Sequence, residues 1–200
     1  MDNIFISPSF RPDKLASGKL EDKIEVFEDR MTIPIIEQAA ALFKAGRQDR
    51  LAPHAGIAVL IILLPYFETI AQYRNGRDSK GQSEKFFIEE FLRVFKFEAE
   101  EGAPSPTLDQ KEAAARAVYK EVRCGLIHAW SQRSKVVLSD QYKAAVRIGF
   151  DQTGVSQIEI HPEVFLDRVK YEFFPKFMEE LRNPSNIDLR ANFEKFFDAV

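Results

Sequence analysis

From Leu20 onward, apolar residues recur at helical spacing. Leu20, Ile24, Phe27 and Met31 fall on one face of a helix. Pro34 has no N–H to give and clashes with the turn before it, so this helix should kink or split at Ile33. The pattern resumes through Ile35, Ile36, Ala39, Leu42 and Phe43, with Gly46 as a stop. A second helix is expected from about Pro53 to Tyr73. It is apolar nearly all round between Ile57 and Leu64, which places it at the centre of a bundle. Asn75-Gly76 ends it. Ser83 suits the N-cap of a third helix with Phe87, Phe91, Val94 and Phe95 on one face. After a Glu/Gly/Pro-rich loop over 98–106, Thr107 and Gln110 have the spacing of a capping box. The helix that follows carries Val118, Val122 and Leu126 at four-residue steps.

Past Lys135 the period changes from helical to alternating. Val146, Ile148 and Phe150, then Ile158 and Ile160, alternate with polar or small residues around Asp151–Gly154, the pattern of a β-hairpin. A long helix is expected to follow, with Phe165, Val169, Phe173, Phe177 and Leu181 on one face and a kink at Pro175. Ser185 or Asn186 caps a last short helix holding Leu189, Phe193, Phe196 and Phe197. The fold class read from this pattern is mainly α: an up-down helical bundle with a small C-terminal β-hairpin and one or two further helices. Residues 1–19, broken by Pro8, Pro12 and Gly18, form an irregular lead-in. The bundle spans 20–135, and 136–200 packs on the same core.

Composition sharpens two points. The chain has 200 residues, enough for one sizeable core, and 18 of them are Phe, so rings should dominate that core. The formal net charge of −3 leaves any nucleic-acid contact to a local basic patch. Cys124 is the sole cysteine, so no intrachain disulfide forms, which fits a reducing compartment. Met1 to Pro12 lacks a basic region followed by an apolar run. The most apolar stretch, Gly56 to Phe67, is short for a bilayer and broken by Pro65. A cytoplasmic protein without a membrane span is expected.

Phosphate-loop and dinucleotide-loop motifs are absent, and a single cysteine excludes cysteine-based zinc sites. His54, His128 and His161 share no usual ligand spacing, and His161-Pro162-Glu163 reads as the turn out of the hairpin. No metal or other cofactor is expected. The stretch Asp109–Lys135 differs electrically from the whole. Lys111, Arg116, Lys120, Arg123, Arg133 and Lys135 stand against Asp109, Glu112 and Glu121, six cations to three anions, a local +3. Arg123 and His128 supply the parts for metal-free RNA cleavage. A base takes the 2′-hydroxyl proton, that oxygen attacks the adjacent phosphorus, and a guanidinium holds the developing charge, leaving a 2′,3′-cyclic phosphate. On an ideal α-helix five positions turn about 500°, so the two side chains would not share a face; Gly125 weakens the helix between them. A histidine among Leu126, Ile127, Ala129 and Trp130 also suits a hydrogen-bonded core position, and Arg123 a surface ion pair.

The string Tyr119-Lys120-Glu121-Val122-Arg123-Cys124-Gly125-Leu126-Ile127-His128 resembles the signature of the HEPN superfamily (higher eukaryotes and prokaryotes nucleotide-binding domains). That signature is an Arg, usually a polar residue, three more residues and a His, late in a helical bundle. Arg123 and His128 match it. Cys124 departs from it, standing where Asn, Asp or His is usual. The resemblance implies a homodimer in which the motifs of both chains face one cleft. It implies action on RNA, most often as a metal-independent endoribonuclease of a toxin or defence system with an antitoxin partner. Some members instead bind RNA, a nucleotide or a protein without catalysis. On this reading Arg123 and His128 are catalytic, and Tyr119, Lys120 and Arg133 line the substrate path.

Overall fold

The computed structural model of the chain describes residues 4–48, 52–95, 97, 105–124, 136–151 and 154–200. A short 3₁₀ turn at Pro12–Leu15 leads into α1 (Leu20–Met31), as the apolar face starting at Leu20 predicts. Pro34 then splits the helix through a π-helical turn, Thr32–Glu37, before α2 (Gln38–Gln48) resumes. Gly46, expected as a stop, lies inside α2, which packs along the next helix and is carried through by that contact.

That next helix, α3 (Ala52–Asn75), runs straight through Pro65 and forms the axis of the molecule. Around it pack α2, α4 (Ser83–Val94), α6 (Pro162–Arg168) and α8 (Ile187–Phe197). By length and hydropathy alone Ala55–Asn75 is sufficient to cross a bilayer. Here Val59, Leu60, Leu63, Leu64, Phe67 and Ile70 are buried against the surrounding elements, which accounts for its apolar circumference. α3 comes close to the segment after the sheet at Gly56, where a Cβ would stand 2.8 Å from Pro162 Cγ.

The aromatic core has two centres on or beside this axis. Phe67 stacks on Phe173 at 5.0 Å and meets Phe87, Phe91, Phe95 and Phe165 at 5.3–6.0 Å. Phe27 meets Tyr73 at 4.5 Å and Phe193 at 5.2 Å, both edge-on or tilted as ring quadrupoles favour. Both centres draw rings from residues beyond 160, so the C-terminal helices complete the bundle's own core.

α5 (Leu108–Ala117) begins with the expected capping box between Thr107 and Gln110. At α4 the cap shifts by one residue. Gln82 holds the N-cap position without a side-chain bond to the helix, its Oε1 accepting from Arg77 instead, and the Ser83 hydroxyl turns back to the Ser79 carbonyl at 3.4 Å. The hairpin is present as β2 (Val146–Asp151) antiparallel to β3 (Gly154–Ile160). A strand the periodicity did not reveal, β1 (Val136–Leu138), pairs parallel with β3, giving the order β1-β3-β2. Val146 and Ile148 face the core, but Phe150 does not. A bulge at Ser156 shifts the register so that Phe150 faces Val155 and is 39% exposed. His161 caps α6 through Nδ1, which accepts from the Val164 N–H at 3.4 Å, with Pro162 at the first helical position. The predicted long C-terminal helix is interrupted by a second π-helical turn, Val169–Phe173. α7 (Phe174–Arg182) then starts with Pro175 in its first turn, where a missing N–H costs nothing.

A candidate phosphate-contacting site around Arg123

The end of α5 does not continue as an α-helix. Val118–Cys124 forms a third π-helical turn, the only one of the three described here with no proline inside it or in the two residues after it. Hydrogen bonds from i to i+5 widen the turn, so residues four and five apart come onto nearly one face. Tyr119, Arg123 and Cys124 illustrate this. The Arg123 guanidinium lies 5.3 Å from the centre of the Tyr119 ring. The Tyr119 phenol is pushed up by burial, Arg123 pulls it the other way, and a hydrogen bond with Cys124 adds to the rise. Tyr119 also leans on Phe87 of α4 at 5.4 Å, which fixes the ring that Arg123 rests on.

The guanidinium is anchored from α3. Its Nη2 donates to Glu68 Oε2 at 2.7 Å, with side chains 18% and 12% exposed respectively. The second carboxylate oxygen of Glu68 accepts from the Ser79 hydroxyl, and Gln72 Nε2 donates to that hydroxyl at 2.8 Å. A polar chain thus runs Gln72–Ser79–Glu68–Arg123 along one side of the apolar axis. Glu68 and Gln72 sit one turn apart on α3, which is why both reach the same loop. Arg123 Nε is buried without a hydrogen-bond partner, and Nη1 is uncommitted among the described residues.

The other cations of this stretch are partly answered as well. Arg116 Nε lies 2.8 Å and Lys120 Nζ 3.7 Å from the Glu84 carboxylate of α4. Both remain exposed beside the Arg123 turn. The local positive charge read from the segment is therefore offset by acids that α3 and α4 bring alongside it. Of the five residues the sequence singles out, Tyr119, Lys120 and Arg123 come together on one turn. His128 and Arg133 lie outside the described residues. Glu68 and Ser79 were not anticipated. A signal for Glu68 existed: it is the sole carboxylate in the 24 residues of α3. Among the described residues no group of three His, Cys, Asp or Glu side chains forms a metal site.

Compared with models of protein families, with curated proteins and with solved structures, the chain matches none.

Proposed function

We propose that the chain is a HEPN-like homodimeric protein acting on RNA as a metal-independent endoribonuclease. Arg123 would polarise the scissile phosphate, with His128 as general base or acid. The observation that carries this reading is the placement of Arg123. It sits on a wide helical turn that no proline explains, a distortion common at functional sites. Its guanidinium is fixed by Glu68 and the Tyr119 face, and Nη1 makes no contact among the described residues. Holding a guanidinium in place before a phosphate arrives lowers the ordering cost of contacting it. Tyr119 and Lys120 extend the same face, and a second chain would supply the second histidine. A toxin or defence role with an antitoxin partner, and cytoplasmic location, belong to this proposal.

The ion pair itself favours a second reading, in which Arg123 is a tie between the wide turn and α3, and the cleft at most binds a ligand without catalysis. The two are separated by incubating the purified protein with mixed single-stranded RNAs in EDTA. The first reading expects cleavage with 2′,3′-cyclic phosphate ends, lost in His128→Ala and in Arg123→Ala. No cleavage by the wild type, or equal cleavage by His128→Ala, removes the nuclease reading. Salt-sensitive RNA binding that Arg123→Ala abolishes, without product, would leave the binding form alone.

A further inference from the structure

Away from Arg123, the junction of the bundle with the C-terminal elements holds a groove of about 610 Å³. The ends of α3 and α4, the start of β2, and the turn into α7 enclose it. Its volume is in the range of small-molecule sites. The charged groups on its walls are Arg74, Arg93, Arg168, Lys176, Glu172 and Glu180. Four cations against two carboxylates leave a net +2 on the wall.

The cations are held in different ways. Arg74 is rigid: Nη1 meets Glu180 at 2.6 Å, Nε stands 2.9 Å from Glu90 Oε1, and the guanidinium covers the Phe177 ring at 4.8 Å. Glu90, 2% exposed, sits behind the wall and also reaches Arg93 Nε at 3.2 Å. Burial pushes the Glu90 carboxyl up, while Arg74 and Arg93 pull it down. One buried carboxylate thus orients two guanidiniums, yet its Oε2 and the Arg74 Nε have no hydrogen-bond partner among the described residues. Arg93 is 57% exposed and Lys176 makes no ion pair among the described residues, so both keep free donors. Arg168 is paired with Glu172, one turn on along the same face, and with no other acid among the described residues. Between the cations the lining is apolar, with half-buried Val94 and Ala144 set over the buried Phe95, Val146 and Phe173.

We propose that this groove binds a small phosphate ester. The phosphate lies among Arg93, Arg168 and Lys176, and the organic part rests on Val94 and Ala144. A phosphomonoester carries a charge of about −1.5 to −2 near neutral pH, opposite in sign to the wall, which keeps +1 once Glu90 behind it is counted with Glu172 and Glu180. Guanidiniums bind its oxygens in parallel pairs, and the ammonium of Lys176 adds a point charge. The enclosed shape favours a compact ligand over a polymer. Occupation does not involve Arg123, so the site stands or falls separately from the RNA reading.

The test is isothermal titration of the full chain with phenyl phosphate, inorganic phosphate and citrate at equal ionic strength, to about 10 mM, where millimolar affinity is still measurable. Phenyl phosphate is expected to bind with one site per chain and more tightly than inorganic phosphate. Lys176→Gln should weaken it about fivefold or more and Arg93→Gln about tenfold or more, as for exposed charge-assisted contacts. Lys195→Gln, an exposed cation outside the groove, should leave it unchanged. Thermal unfolding confirms that each variant is folded. Absence of saturable binding, equal binding by the Lys176 and Arg93 variants, citrate binding as tight as phenyl phosphate, or a short RNA that outcompetes it through these residues would each overturn the proposal.

Discussion

Breaking the Glu68–Arg123 pair should cost far more than a surface ion pair and should reveal strong coupling. An exposed pair contributes about 0.2–1 kcal/mol, whereas removing one partner of a fully buried pair costs about 3–5 kcal/mol. With side chains 12% and 18% exposed, this pair lies nearer the buried limit. Glu68→Leu strips Arg123 of the acceptor it has among the described residues, and the Ser79 hydroxyl loses its own. A loss of about 2–3 kcal/mol is expected. Arg123→Met leaves Glu68 with Ser79 alone and should cost about 2 kcal/mol, a drop in Tm of about 4–8 °C for a chain of this size. The double variant replaces both charges with apolar side chains of similar length and should lose less than the sum, with a coupling of at least about 1.5 kcal/mol. Urea unfolding followed by far-UV circular dichroism measures all four corners of the cycle. Single effects that add to the double within about 0.5 kcal/mol would refute the claim that Glu68 fixes the guanidinium.

Three further outcomes follow from the packing and the charge pairs. Phe67→Ala removes the ring shared by both walls of the core and should cost about 3–5 kcal/mol in urea unfolding; under about 1.5 would mean the site collapses freely. Gly76 and Gly81 both have φ above +60°, but a Cβ at Gly76 would stand 2.9–3.1 Å from the side chain and backbone of Asn192, while at Gly81 it meets nothing. Gly81→Ala should cost the left-handed strain alone, about 1–2 kcal/mol, and Gly76→Ala measurably more; equal losses would contradict the close approach of α8. Lys23 bonds Asp198 and Glu194 at 2.8 Å each, and these bonds raise its pKa above the ordinary 10.5. A raised folded value gives stability present below the unfolded value and lost as pH climbs through the folded one. The stability gap between wild type and Lys23→Met should therefore be flat at neutral pH and narrow only above 10.5; narrowing between pH 7 and 9 would assign the effect elsewhere.

Elements with a one-sided pattern were readable from the chain. α1, α4 and the Thr107 capping box follow from apolar spacing and cap chemistry, both of which are local. β1 was not, because Val136–Leu138 is too short to alternate and exists only by pairing with β3, twenty-odd residues on. Phe150 escaped because a bulge is a property of the pairing and not of either strand. At the candidate site, the sequence singled out Arg123 but showed neither its π-helical turn nor its anchor. Nothing near Glu68 in the chain indicates that Arg123, 55 positions later, will meet it, and a lone acid in an apolar helix signals only that some partner is needed.

The three widened turns carry a consequence for how this chain tolerates change in length. Each accommodates surplus backbone that a regular helix would not hold. Deleting one residue from Val169–Phe173 would let the helix close into regular turns while α7 keeps its facing, whereas the same deletion inside α7 would rotate all that follows by about 100° and swing Leu181 off the aromatic axis. A one-residue deletion in Val169–Phe173 should therefore cost the fold less than one in the regular turns of α7, because the helix there already holds a residue to spare.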